Sequence, residues 1–252
     1  MDSAQQEGRR PRFPQELPEL KELLARGKMS GCRLAPTGSN YTFFAAVGIG
    51  AQGQCQVVYK PQRGEAPLWD FSSGTLYLRE YAAYLLSETL GWGFVPPTVI
   101  RDGMHGVGSV QLYVDSDPSA DYFTLRQSYR EELLRICAFD VISNNADRKA
   151  SHCLLGTDGR IWAIDHGLTF HSEPKLRTVI WEFAGDPVPA PILKELEHLM
   201  EEFPVPGGLA EQLGPLLSGA EVEALCQRVQ ALLERGVFPL PGPRRSVPWP
   251  WV

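Results

Sequence analysis

Polar and apolar positions alternate differently in the two halves of the chain. From Glu16 to Ala25, Leu17, Leu20, Leu23 and Leu24 recur at helical spacing and predict a short helix. Three segments rich in β-branched and aromatic residues follow, Gly31–Ala35, Tyr41–Val47 and Gln54–Lys60, and read as strands. Gly48–Gly53 supplies a glycine-rich turn between the second and third. Leu76–Leu90 predicts a helix with Leu78, Ala82, Leu85, Leu86 and Thr89 on its apolar stripe, ended by Gly91. Val95–Arg101 and Gly108–Val114 predict a further strand pair.

Beyond Tyr113–Ala120, a polar connector, the periodicity becomes helical. Ser128–Ser143 is a long apolar helix, and Asn144–Ser151 is a polar loop. His152–Leu155 and Arg160–Asp165 form a hairpin around Gly156-Thr157-Asp158-Gly159, and helices follow near Pro191–Phe203 and Glu221–Arg235. The Pro-rich tail from residue 239 to 252 reads as irregular, with Trp249 and Trp251 available to dock on the domain, the favoured reading, or to bind a partner. Strands with one helix, then mostly helices, predict an α+β, two-lobed chain: a flexible N-terminus (1–15), an N-lobe (16–114), a C-lobe (115–238) and the tail (239–252).

Composition narrows the class. With 252 residues and 43% hydrophobic content, the chain can bury a substantial core. A net charge of −6 argues against a general nucleic-acid binder. The five cysteines have no C-x-x-C pair, which argues for reduced thiols over a disulfide framework or zinc site. The first residues lack an apolar leader and no run reaches membrane-spanning length. The expectation is a cytoplasmic protein without stable membrane insertion.

Gly48-Ile49-Gly50-Ala51-Gln52-Gly53 matches a dinucleotide fingerprint, but strands lie on both sides of it where the fingerprint requires a following helix, so it reads as a hairpin turn. With that turn centred near Gly50–Ala51, Lys60 falls opposite Tyr41, beside Pro36-Thr37-Gly38-Ser39-Asn40. Such a loop next to an inward lysine can cradle phosphates, with Gly38, Ser39 and Asn40 offering backbone N–H groups. Glu80 is the leading carboxylate partner for Lys60, and Glu88 the alternative. In the second hairpin, a turn between Thr157 and Asp158 sets Asp165 opposite Ala150, with Asp147 and His152 alongside. Two carboxylates and an imidazole in one place can hold a divalent cation and orient a hydroxyl toward a phosphoryl group, with Asp147 as base and Asp165 as metal ligand.

These residues resemble the phosphatidylinositol 3-/4-kinase-like branch of the protein-kinase-like superfamily, in particular an actinobacterial group within it. Asp147-Arg148-Lys149-Ala150-Ser151-His152 follows the spacing of that branch's catalytic loop, and Ile164-Asp165-His166-Gly167 its I-D-x-G magnesium motif. Val58-Tyr59-Lys60-Pro61 looks like its ATP-binding lysine strand, and Gln111-Leu112-Tyr113-Val114 its adenine-contacting linker. The resemblance spans about residues 31–200 and implies a bilobal kinase-like fold, ATP, and Mg2+ or Mn2+. His152 stands where the family has a metal-binding Asn. That leaves three outcomes: His152 binds manganese or another metal, the site holds one metal, or it serves a non-catalytic role. The resemblance implies transfer of a γ-phosphoryl group to a hydroxyl of a protein or small molecule. Nucleotidyl transfer and a pseudokinase are the alternatives, and a histidine-based metal hydrolase ranks last because no helical His spacing supports it. Few cations follow Asp165, only Lys175 and Arg177 nearby, which argues against a lipid acceptor.

Overall fold

The computed structural model describes residues 17–36, 38–48, 54–243 and 245–252. Its elements in chain order are α1 (Leu17–Arg26), β1 (Lys28–Leu34), β2 (Phe43–Gly48), β3 (Gln54–Pro61), α2 (Leu76–Thr89), β4 (Thr98–Gly103) and β5 (Gly106–Leu112). Then come α3 (Tyr122–Leu125), α4 (Arg130–Ser143), β6 (Cys153–Leu155), β7 (Ile161–Ala163), α5 (Ala190–Glu202), α6 (Leu209–Leu213) and α7 (Gly219–Arg235). The first five strands form one antiparallel sheet in the order β1-β2-β3-β5-β4, and β6 pairs with β7 in a separate hairpin. This is the expected α+β architecture, a sheet-bearing lobe followed by a mainly helical one.

Two apolar cores follow from the pattern. Leu20, Leu23 and Leu24 of α1 pack against Val47, Val57, Tyr59 and Val110 of the sheet. The larger core joins α2, α4, α5 and α7, through residues such as Leu86, Phe139, Leu196 and Leu225. All five cysteines are free thiols, and among the described residues no helix is long and apolar enough to cross a membrane.

Three expectations need correction. The stripe assigned to α2 is incomplete, because Leu78 and Leu85 are only half-buried and Thr89 is exposed, whereas Arg79, Glu80, Ala83 and Tyr84 are buried. The helix lies against β4 and β5 on one side and α6 on another, so a one-sided pattern cannot describe it. Both hairpin registers are also shifted by one. Tyr59 pairs with Phe43 where Lys60 opposite Tyr41 was expected, and Cys153 pairs with Ala163, so that Asp165 follows past Ile164, whose N–H bonds the His152 carbonyl at 3.0 Å. Residues 49–53 of the glycine turn, and Thr37 of the polar loop, lie outside the described residues.

Candidate active site

Pairing of β3 with β5 sets Lys60 across from Ser109, and its side chain leaves the sheet toward the helical lobe. The ammonium meets two carboxylates: Glu80 Oε1 from α2, and Asp165 Oδ1 at 2.9 Å from the segment after β7. Glu80 is buried, and its second oxygen accepts the His166 backbone N–H at 3.1 Å, tying α2 to the Asp165 segment. Glu88 instead approaches Lys21, at 4.0 Å. Burial opposes charge on Lys60, yet Asp165 and Glu80 together hold it protonated well above the ordinary lysine range. Lys60 holds Asp165 far below the usual carboxylate range, while burial pushes Glu80 upward. One ammonium thus serves two acids, and the half-exposed Asp165 is the one that faces the cleft.

Asp165 has a left-handed backbone, with φ of 61°. For a residue other than glycine this conformation is uncommon, and when retained it marks a position that the surroundings over-determine. Asn144 at the end of α4 is also left-handed (φ 53°), and its side chain anchors the opposite segment through the carbonyls of His171 (2.8 Å) and Glu173 (2.7 Å). Asn145 then turns the loop back: its amide donates to Asp140 at 2.9 Å, and its oxygen accepts the Asp147 N–H at 3.0 Å. Asp147 emerges half-buried, with Lys149 Nζ 3.2 Å from its Oδ2. Burial raises the Asp147 pKa, Lys149 opposes the shift, and the carboxyl ends above its ordinary value. A raised pKa suits a group that must take up a proton.

Beneath the loop lies a network that ties Arg148 and His166 of the two motifs to Asp140, which no motif marks. Arg148 and Asp140 are completely buried and paired at 2.9 Å, and Arg148 also donates to the Ile164 carbonyl at 2.9 Å and lies 2.8 Å from His166 Nε2. Arg148 is thus bonded to the residues next to Asp165 and is itself the residue after Asp147. A legible signal did exist: Asp140 is a carboxylate within the apolar run Ile136–Ile142, where an acid requires a partner.

His152 is buried, and burial lowers its pKa to about 4. The Lys149 N–H points at its Nδ1 (3.3 Å), so the proton of the neutral ring sits on Nε2, which lies 3.4 Å from Asp165 Oδ2. In this tautomer His152 presents Asp165 with an N–H and has no lone pair there for a metal. The unfolded chain takes up this proton near pH 6.5 and the folded chain only near pH 4. Stability contributed by the neutral ring is therefore complete above about pH 6.5 and lost as the pH falls toward about 4, by up to about 3 kcal/mol. Urea unfolding at pH 7.5 and pH 5 should show a smaller acid loss in His152→Asn than in the parent chain. Equal losses would count against a buried neutral His152.

The groups converge on a cavity of about 970 Å³. Gly38, Ser39, Asn40, Gln111, Tyr113 and Val114 all line it, together with Lys60, Glu80, Asp147, His152 and Asp165. Several already carry internal bonds: Asn40 Oδ1 accepts from Ala66 N (2.7 Å), the Gln111 amide donates to Thr98 Oγ1 (2.9 Å), and the Tyr113 N–H donates to Gln56 O (2.9 Å). Among the described residues no three His, Cys, Asp or Glu side chains converge as a metal cage. The donor set suits a cation held by one or two carboxylate oxygens, with the remaining ligands from phosphate and water, the habit of magnesium.

The model of the family described as phosphatidylinositol 3- and 4-kinase matches residues 74–222. A relative named Protein Rv2133c from Mycobacterium tuberculosis is 39% identical over 90% of this chain and 94% of its own length. Phosphatidylinositol 4-kinase gamma 4 of Oryza sativa subsp. japonica is 34% identical over 36% of the chain, which spans 19% of that relative. Among solved structures, the Golgi casein kinase with Mn/ADP bound superposes with a TM-score of 0.51 at 16% identity, covering 86% of this chain and 74% of the other.

Proposed function

Because the chain belongs to the phosphatidylinositol 3- and 4-kinase family and has a protein-kinase-like fold, we propose that it is an ATP-dependent phosphotransferase acting on a hydroxyl group. The observation that carries this reading is the Lys60–Glu80–Asp165 arrangement, facing Asp147 across one cavity. We assign residues 16–114 to a nucleotide-binding lobe and 115–238 to the lobe that bears the acids. Lys60, fixed by Glu80, neutralises phosphate charge, and the loop with Gly38, Ser39 and Asn40 covers the phosphates. Gln111, Tyr113 and Val114 form the adenine side of the cleft. Asp147 orients the acceptor hydroxyl and takes its proton.

Asp165 would hold a divalent cation, which supplies charge neutralisation on the transferring phosphoryl group. His152, neutral and with its Nδ1 facing the Lys149 N–H, adds no ligand beside Asp165, a one-metal reading that works with magnesium. The related structure with Mn and ADP supports a nucleotide with a divalent ion in this fold.

The test is transfer from γ-labelled and α-labelled ATP, with magnesium or manganese, by the parent chain and by Asp147→Asn. The expected result is γ-label transfer in magnesium that Asp147→Asn lowers by about two to four orders of magnitude. Transfer of the α label would establish nucleotidylation instead. Nucleotide-dependent thermal stabilisation with no transfer to any acceptor would favour a pseudokinase.

A further inference from the structure

The C-terminal tail takes part in the cleft. Arg245, Pro248, Trp249, Pro250 and Val252 line the same cavity as Asp147 and Asp165. Two main-chain bonds fix the tail there: Thr178 N donates to Ser246 O at 3.0 Å, and Ala150 N donates to Trp251 O at 2.9 Å. The Trp181 ring N–H also donates to Ser246 O, and Trp251 packs edge-on against Phe123 with ring centroids 5.5 Å apart. The tail therefore occupies the backbone donor of Ala150, three residues past Asp147. An extended polypeptide acceptor running along the catalytic loop would need that edge.

The charge of this region runs against that of the whole chain, which carries −6. Arg177 is bonded through its backbone on both sides of Asp147, with its N–H on the Asn145 carbonyl (2.8 Å) and its carbonyl accepting from Arg148 N (3.0 Å). Its neighbour Thr178 bonds Ser246, the neighbour of Arg245, so the main-chain segments of the two arginines lie side by side, and both residues line the cavity. Lys149 and Lys175 are engaged by Asp147 and Asp70. Among the described residues, neither Arg177 nor Arg245 forms an ion pair, and the only side-chain bond of Arg245 is to the Val247 carbonyl. Two arginines on adjacent segments, lining the same cavity as Asp147 and unpaired with any carboxylate among the described residues, suit a phosphate or carboxylate.

We propose that the tail and Arg177 form the acceptor subsite, and that the acceptor is a small molecule carrying a phosphate or carboxylate beside the hydroxyl that is phosphorylated. This rests on the phosphotransferase reading and specifies its substrate class. Asp147 takes the hydroxyl proton, the acceptor oxygen bonds the γ-phosphorus, and ADP leaves with the electrons of the bond that breaks.

Calorimetric titration of glycerol 3-phosphate, and separately of glycerol, into the full chain saturated with magnesium and a non-hydrolysable ATP analogue tests the subsite. Glycerol 3-phosphate should bind and glycerol should not. Arg177→Gln and Arg245→Gln should each weaken binding by about tenfold, while Arg177→Lys, which keeps the charge without the planar pair of donors, should recover only part of it. Circular dichroism of each variant checks folding. Absence of glycerol 3-phosphate binding to the nucleotide-loaded chain, or equal binding by both Gln variants, would overturn the proposal. So would arginine-dependent binding confined to vesicles containing phosphatidylinositol, or label transfer to a polypeptide that both Gln variants support as well as the parent. Affinity for the ATP analogue, measured in the same preparations, keeps the two readings apart: its absence fails the phosphotransferase, and its presence without phosphate binding fails the subsite.

Discussion

Asp165→Asn should lower γ-phosphoryl transfer by about a thousandfold or more, since positioning and charge neutralisation supply almost all the catalysis in this chemistry. Asn is the informative replacement. It tolerates the left-handed backbone that Asp165 adopts, whereas Ala at φ 61° would add strain and confuse folding with chemistry. It also keeps one acceptor oxygen for Lys60 Nζ, so that contact should hold, while its amide NH2 replaces the oxygen that lies 3.4 Å from His152 Nε2. What it removes is the half-exposed negative charge. ATP affinity measured with and without magnesium separates the roles. In the parent chain magnesium should tighten ATP binding, and in Asp165→Asn that gain should vanish while metal-free affinity stays within about threefold, because Lys60 remains paired with Glu80. A variant whose magnesium dependence and transfer rate match the parent would remove Asp165 from the metal-binding role.

The site was legible in outline because its chemistry sits at strand ends and loop junctions. A register error of one residue reverses the faces of a strand, yet moves a group beyond the strand end by only about 3.3 Å. Asp165 therefore joins Asp147, His152 and Lys60 although both hairpins pair one residue away from the expected register. The shift has a simple origin: a turn centred between two residues implies one register, and the ladders centre on a single residue. Burial of α2 on several sides is less legible, since periodicity reports one apolar face: Glu80 stands out as a partner for Lys60, whereas Arg79 reads as polar surface until partners from distant segments surround it. The short helices α3 and α6 are too brief for any period to declare itself. Docking of the tail was anticipated, but not its place in the cleft, because that depends on backbone bonds to residues about a hundred or seventy positions earlier.

Arg148→Met should destabilise the fold by about 3–5 kcal/mol, the usual result of removing one member of a buried ion pair. Asp140 has no access to water, and it accepts from Arg148 Nε (3.1 and 3.0 Å), Arg148 Nη2 (2.9 Å), Asn145 (2.9 Å) and Thr178 (3.2 Å). Without the guanidinium, two neutral donors would have to sustain a carboxylate in the core, which is the costly half-satisfied case. A fall in Tm on the order of 10 °C is expected for a chain of this size. The double variant Arg148→Met/Asp140→Leu should lose less than the single one, since it removes the stranded charge along with its partner. A single variant melting within about 2 °C of the parent would mean that the pair does not govern stability. The double variant then isolates function from folding. Arg148 connects the segment of Asp147 to Ile164, the residue before Asp165, so a double variant that folds should still transfer phosphoryl groups poorly, with the two acids no longer held at a fixed separation.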